Sequence, residues 1–272
     1  MRKKIPEINT VKLSLKNRPY DIKYFIREGN KGTILFIHGL GGAKGNFWES
    51  CKTAALAEYT LICFDNPGTG NSTYYDDVIL EVDDLVDITD QFIKKLHLDN
   101  FFLAGASMGG LIAMLYLSKY GSKNVKGFIN IEGNLMPEDC MFSGKVVVHK
   151  YKHFEKTVFP ETIVNMKKNG NAGYHVIANN LELNTNVKSY YNYSFQTVEY
   201  SKTGALLQQY LEMNIPRIFI YGEENKGLSY IPKLIENKMN IKMISNSNHF
   251  IFYDNPRELY KATAEFVKLL AN

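Results

Sequence analysis

The stretch Phe101-Phe-Leu-Ala-Gly-Ala-Ser-Met-Gly-Gly-Leu111 decides the fold. Asn100 to Ala104 reads as a strand, because the apolar residues from Phe101 are unbroken, as expected of a strand covered on both faces. Gly109 to Tyr120 reads as a helix. Between them, Gly105-Ala-Ser107-Met-Gly109 sets a serine with glycine two positions to either side. A side chain at either glycine would collide with the neighbouring strand or helix in so sharp a bend, so the spacing suits a hydroxyl held on a strained strand-to-helix turn. The helix N-terminus there favours developing negative charge. GxSxG alone arises by accident; the strand before it and the helix after it give it meaning.

The same strand-helix alternation extends in both directions. Val11 to Leu15 and Tyr20 to Arg27 alternate apolar and polar residues around Lys16-Asn17-Arg18-Pro19, which predicts an antiparallel hairpin. Thr33 to Ile37 is a buried strand, followed by the glycine-rich His38-Gly-Leu-Gly-Gly42 and a helix over Phe47 to Glu58. Tyr59 to Phe64 is the next strand and Val82 to Leu96 an amphipathic helix. Val125 to Ile131, Pro216 to Tyr221 and Lys242 to Ser245 supply further strands, and Pro256 to Leu270 a closing helix with proline in its first turn. Strands alternating with helices imply a doubly wound, mostly parallel sheet, here of eight strands. Between Gly133 and Asn214 the alternation lapses into a segment rich in Tyr, Asn and Lys. A structureless loop of that length is foreign to a compact domain, so residues 134–214 are expected to form a helical cap on a core of residues 1–133 and 215–272.

Composition bounds the function class. Of 272 residues, 45% are hydrophobic and 22% charged, which is ordinary for a folded soluble chain and speaks against disorder. The net charge of +4 is dispersed in short runs such as Lys94-Lys95, where a nucleic-acid footprint needs a clustered basic stripe, so no nucleic-acid partner is expected. Cys51, Cys63 and Cys140 form no CxxC pair and read as structural thiols of a reducing compartment. The start Met1-Arg-Lys-Lys-Ile-Pro is basic, but no apolar run follows it and no stretch is long enough to span a bilayer. The expectation is a cytoplasmic protein without a membrane partner; oligomeric state is not legible.

Two loops can complete the chemistry of Ser107. His38 to Gly42 follows the strand before the bend, the place from which a second oxyanion donor comes, so the backbone N–H groups of Leu40 and Met108 are the expected donors. His38 itself reads as structural. Of six histidines, His249 alone occupies a loop at the carboxyl end of a strand late in the chain, where catalytic groups collect in open α/β sheets. It is the expected base.

HGLGG at His38, DNPGTGNS from Asp65, GASMGG from Gly105, IPRIFIYG from Ile215 and NHF at His249 together resemble the α/β-hydrolase superfamily over nearly the whole chain. The resemblance implies a nucleophile-acid-histidine triad, an oxyanion hole and no cofactor, with Asp65 in a structural turn. This chain departs from the pattern at the acid: most members carry an aspartate three residues after the glycine ending IPRIFIYG, and here that residue is Asn225. An amide does not stabilise an imidazolium as a carboxylate does; a comparable exchange in a serine protease costs ~10⁴-fold. Glu132, after the strand Val125 to Ile131, stands at an alternative position used by some members and is preferred; Glu224, beside the usual slot, is the second candidate.

The expected activity is hydrolysis of a carboxylic ester of a small, apolar acyl substrate through an acyl-enzyme. Serine at position 107 argues against haloalkane or epoxide chemistry, which needs a carboxylate nucleophile. Carbon-carbon bond hydrolysis and a proline-type aminopeptidase use the same groups, and a non-catalytic ligand receptor is the reading from another class. Tyr190 and Tyr191 of the cap are candidate pocket residues, as is Trp48, for which core packing is an equal alternative.

Overall fold

The computed structural model describes residues 6–270, so the basic start lies, apart from Pro6, outside the described residues. Strands β1 (Glu7–Leu15) and β2 (Arg18–Arg27) form the expected hairpin. Its turn is tighter than expected. Lys16 and Asn17 alone make it, at φ 48° and 60°, and Leu15 pairs directly with Arg18, so Arg18 and Pro19 belong to β2. Two central residues at positive φ give a turn whose twist matches that of the flanking strands.

Among the described residues β3 (Thr33–Ile37), β4 (Thr60–Phe64), β5 (Phe101–Ala106), β6 (Val125–Ile131), β7 (Arg217–Gly222) and β8 (Ile241–Ile244) complete one eight-stranded sheet in the order β1-β2-β4-β3-β5-β6-β7-β8. β1 and β2 are antiparallel to their neighbours; every pairing from β4 to β8 is parallel. The chain steps from β3 outward to β4 and then crosses back to β5 on the other side of β3. The loops after β3 and β5 therefore leave neighbouring strands in opposite directions, which opens a crevice at their carboxyl ends.

Helices cover both faces of the sheet. On one face α1 (Val82–Lys95) buries Leu85, Val86, Ile88 and Phe92, and α2 (Met108–Tyr120) buries Leu111, Ile112 and Met114; on the other the closing helix Pro256–Leu269 buries Leu259, Tyr260 and Phe266. Burial of each such side chain is worth about 1.5–3 kcal/mol. The helix expected over Phe47 to Glu58 is absent: two 3₁₀ segments, Lys44–Lys52 and Ala54–Leu56, stand in its place. Local side-chain bonds compete with the α ladder there. The Ala43 N–H donates to Asn46 Oδ1 (2.6 Å), the Ser50 hydroxyl donates to the Phe47 carbonyl (2.6 Å), and Thr53 is extended.

The segment between β6 and β7 is helical. It comprises α3 (Ser143–Val147), α4 (Tyr151–His153) running into a π-helical turn (Phe154–Val158), α5 (Phe159–Asn169), α6 (Ala172–Asn184), α7 (Val187–Ser201) and α8 (Ala205–Glu212). It docks on the loops after β3 and β4: Asn180 Nδ2 donates to the Gly41 carbonyl (2.6 Å), the Asn186 N–H to the Gly68 carbonyl (2.8 Å) and the Tyr193 hydroxyl to the Pro67 carbonyl (2.9 Å). α9 (Ile231–Glu236), α10 (Ile251–Asp254) and α11 (Pro256–Leu269) complete the chain, the last capped by the Asn255 side chain on the Glu258 N–H.

Candidate active site

Ser107 stands between β5 and α2 at φ 53° and ψ −127°, a conformation that costs a non-glycine residue about 1–3 kcal/mol and persists only where its surroundings enforce it. The surroundings are visible at the flanking glycines. A methyl group on Gly105 would lie 2.3 Å from the Gly109 carbonyl oxygen, and one on Gly109 would lie 2.1 Å from that of Ile37. Helix α2 thus starts directly against the end of β3. Its first N–H groups, beginning at Met108, have no intrahelical partner.

The loop after β3 closes on the same point. A methyl group at Gly39 would lie 2.9 Å from Ser107 Cβ and 3.5 Å from its Oγ. His38 is wholly buried and holds this loop: Nδ1 bonds the Gly39 carbonyl (2.8 Å) and Nε2 accepts the Asn66 N–H (3.0 Å). Burial lowers its pKa, which suits a neutral ring with one donor and one acceptor. Asp65 secures the neighbouring turn by accepting from Lys44 N (2.7 Å), Lys44 Nζ (2.6 Å) and Asn71 N (3.0 Å).

Glu132 follows β6 at φ 45°, like Ser107 a non-glycine residue at positive φ at a strand end. Its carboxylate is buried, and its oxygens are taken up by donors. Oε1 accepts from the Gly222 N–H (2.6 Å) and Asn225 Nδ2 (3.0 Å); Oε2 accepts from Asn225 Nδ2 (2.8 Å) and lies 2.7 Å from His249 Nδ1. With Nδ1 as the donor to the carboxylate, Nε2 of His249 is left as the acceptor. Ser107, Met108, Gly39, Leu40 and His249 all line one small cavity, roofed by Met166, Ile177, Leu181 and Tyr190 from the helical segment.

The structure therefore brings Ser107, His249, Leu40 and Met108 around one space, with Glu132 behind the histidine. Other candidates fall elsewhere. Glu224 lines a separate, outer cavity, and the adjacent Asn225 is the residue that bonds Glu132. Trp48 packs edge-on against Phe25 with ring centroids 5.6 Å apart, because the 3₁₀ segment turns it toward β2. Tyr190 lines the cavity, but the neighbouring Tyr191 points away, its hydroxyl on the His149 carbonyl (2.9 Å) and its ring against Tyr151.

Sequence reasoning missed Asp139, which also lines the cavity. Burial raises its pKa to about 6 against the opposing bonds from the Leu135 and Met136 N–H groups (2.7 and 2.8 Å) and the Tyr230 hydroxyl (2.9 Å). No local motif marks it. Among the described residues, no group of three or more His, Cys, Asp and Glu side chains could hold a metal ion, and no helix is long and apolar enough to cross a membrane.

A family model described as the α/β hydrolase fold matches residues 32–150. Human monoacylglycerol lipase ABHD6 is 24% identical over 268 residues, covering 90% of this chain and 78% of its own. Among solved structures, a thermophilic esterase from Thermogutta terrifontis superposes with a TM-score of 0.78 at 15% identity, covering 98% of this chain and all of its own. A bromoperoxidase from Bacillus anthracis gives 0.76 at 21% identity, covering 96% of this chain and 100% of its own. At these identities the structural likeness speaks for the fold.

Proposed function

Since the chain belongs to the α/β-hydrolase superfamily, we propose that it is a serine hydrolase that cleaves a carboxylic ester of a small, apolar acyl substrate. The observation that carries the reading is the 2.7 Å contact of the buried Glu132 with His249, which lines the same cavity as Ser107. In this reading His249 Nε2 takes the Ser107 proton, and Oγ attacks the ester carbonyl. The Leu40 and Met108 N–H groups hold the oxyanion. The alkoxide leaves with the proton from His249, and water activated by the same ring then releases the acid from Ser107. Glu132 keeps the imidazole in the required tautomer throughout. No cofactor enters.

The similarity to human monoacylglycerol lipase ABHD6, an ester hydrolase by its name, supports the same reading. An aminopeptidase would need a cavity acid free to hold the substrate amine. In the small cavity at Ser107 the acid is Asp139, and both of its oxygens are already engaged by Leu135, Met136 and Tyr230; Glu224 lines the outer cavity. Three free thiols fit the cytoplasmic reading.

The test is labelling with a fluorophosphonate probe alongside turnover of p-nitrophenyl acetate. The wild-type protein is expected to gain the probe's mass at Ser107 and to release p-nitrophenol, and Ser107→Ala to do neither. A folded wild-type protein that takes no label would remove the activated serine and leave a receptor of the same fold.

A further inference from the structure

The cavity at Ser107 has about 30 Å³ of free volume, enough for a water or two. An ester needs more. Against its wall lies a second cavity of about 600 Å³, within the ~300–1,000 Å³ range of small-molecule sites. The two share Phe142, Met166 and Tyr190, so three side chains form the partition between them. Beyond it Val146, Phe154, Val158 and Phe159 form an apolar wall, while the charged Lys145 and Glu224 and polar groups such as Asn165 and Asn169 complete the lining.

Two features place this outer cavity on the histidine side of Ser107. Asn248, the residue before His249, lines it, and the ring of Phe142 in the partition lies 6.0 Å from that of His249. In acyl transfer by a serine and histidine, the imidazole hands its proton to the leaving group, which must therefore depart on the histidine's side. A third feature is the π-helical turn Phe154–Val158, which supplies two of the apolar wall residues; such turns are rare and frequent at functional sites. Met166 is a side chain suited to yielding, being unbranched and adaptable.

We infer that the outer cavity is the subsite for the alcohol arm of the ester, which passes the Phe142–Met166 partition and is an apolar chain or ring, while the space beside Ser107 holds a short acyl group. The inference rests on the hydrolase reading above. In the step concerned, the bond between the acyl carbon and the alcohol oxygen breaks beside Ser107, the acyl group stays on Ser107 Oγ, and the proton on His249 Nε2 moves to the departing oxygen, whose alcohol then leaves through the outer cavity.

Ethyl acetate, octyl acetate and ethyl octanoate separate the two arms. Octyl acetate is expected to exceed ethyl acetate in kcat/KM by ~10-fold or more, since even one methylene in an apolar pocket commonly discriminates by that factor, and ethyl octanoate is expected to show no such gain. Val158→Trp, which fills the outer cavity, should lower the octyl-to-ethyl acetate ratio by about tenfold. Val164→Trp, on an exposed position of α5 outside the cavity, should leave the ratio alone. Fluorophosphonate labelling of Val158→Trp shows that the variant is folded and its serine reactive. A gain for ethyl octanoate that Val158→Trp removes would make the cavity an acyl subsite and overturn the inference, as would an unaltered ratio in that variant. Calorimetric titration of Ser107→Ala with 1-octanol reads the cavity without chemistry. Binding lost in Ser107→Ala/Val158→Trp supports the subsite, and no binding overturns it. Octanol binding in a protein that turns over no ester would overturn the hydrolase reading and leave the cavity standing.

Discussion

At Glu132 the question is how the proposed acid can serve His249 from a position other than the one the resemblance implies. Asn225 occupies the slot where the resemblance leads one to expect aspartate, and its amide donates to both oxygens of Glu132 at 2.8 and 3.0 Å. The exchange of acid for amide at 225 therefore removes a like charge and adds a donor. Glu132→Gln puts an NH₂ group among donors and removes the charge opposite the imidazolium, so kcat is expected to fall by ~10³–10⁴. Glu224→Gln should lose far less; the reverse order would move the acid to Glu224. Asn225→Asp is the complementary experiment. Two carboxylates about 3 Å apart do not both ionise, so this variant should lose activity near neutral pH, with a pH profile shifted from that of the wild type. In Glu132→Gln/Asn225→Asp the repulsion is gone and an acid has returned, and activity should exceed that of Glu132→Gln alone. A double variant no better than the single would mean that a carboxylate at 225 does not reach His249.

Elements set these residues by packing, and the tightest point is where α2 meets β3. Gly109→Ala would press a methyl group to 2.1 Å from the Ile37 carbonyl oxygen, with backbone on both sides. Urea denaturation should show a loss of about 1–3 kcal/mol or more, the usual cost of overpacking a close contact. Gly45→Ala, with nothing within 4 Å of the added carbon, should leave stability nearly unchanged and serves as control. Equal stability of the two variants would contradict the tight junction. This junction was legible in the sequence, because buried parallel strands are continuous apolar runs and the bend between β5 and α2 tolerates few residues. The 3₁₀ segment at Lys44–Lys52 was not legible. Its apolar residues suit a helix, and the deciding bonds of Asn46 and Ser50 to nearby backbone carry no periodic signal. Nor was the cavity lining: Met166, Leu181 and Tyr190 come together from α5, α6 and α7, and only tertiary docking on Gly41 selects Tyr190 over Tyr191. The proposed acid was half legible, as a missing aspartate whose replacement had two candidates.

For the whole molecule, the buried titrating groups fix how stability follows pH. His38 is held neutral in the folded chain, its Nε2 accepting the Asn66 N–H, and burial lowers its pKa below the ordinary value near 6.5. The unfolded chain therefore binds a proton there first, and stability falls as pH drops below about 6.5. Asp139 acts with opposite sign. Its folded pKa of about 6 exceeds the unfolded 3.8, so between those values the folded chain binds the extra proton, and its contribution is complete below about pH 4 and lost as pH rises through 6. The two slopes partly cancel in the wild type. Asp139→Asn removes one of them, so urea denaturation of this variant between pH 4 and 7 should show a steeper gain of stability with pH than the wild type. The gap between the two proteins is expected to change by roughly 1–3 kcal/mol across that window, since a pKa unit is worth about 1.4 kcal/mol. Parallel curves would mean that Asp139 titrates alike in the folded and unfolded chains and is not held in the cavity wall as a buried carboxyl group.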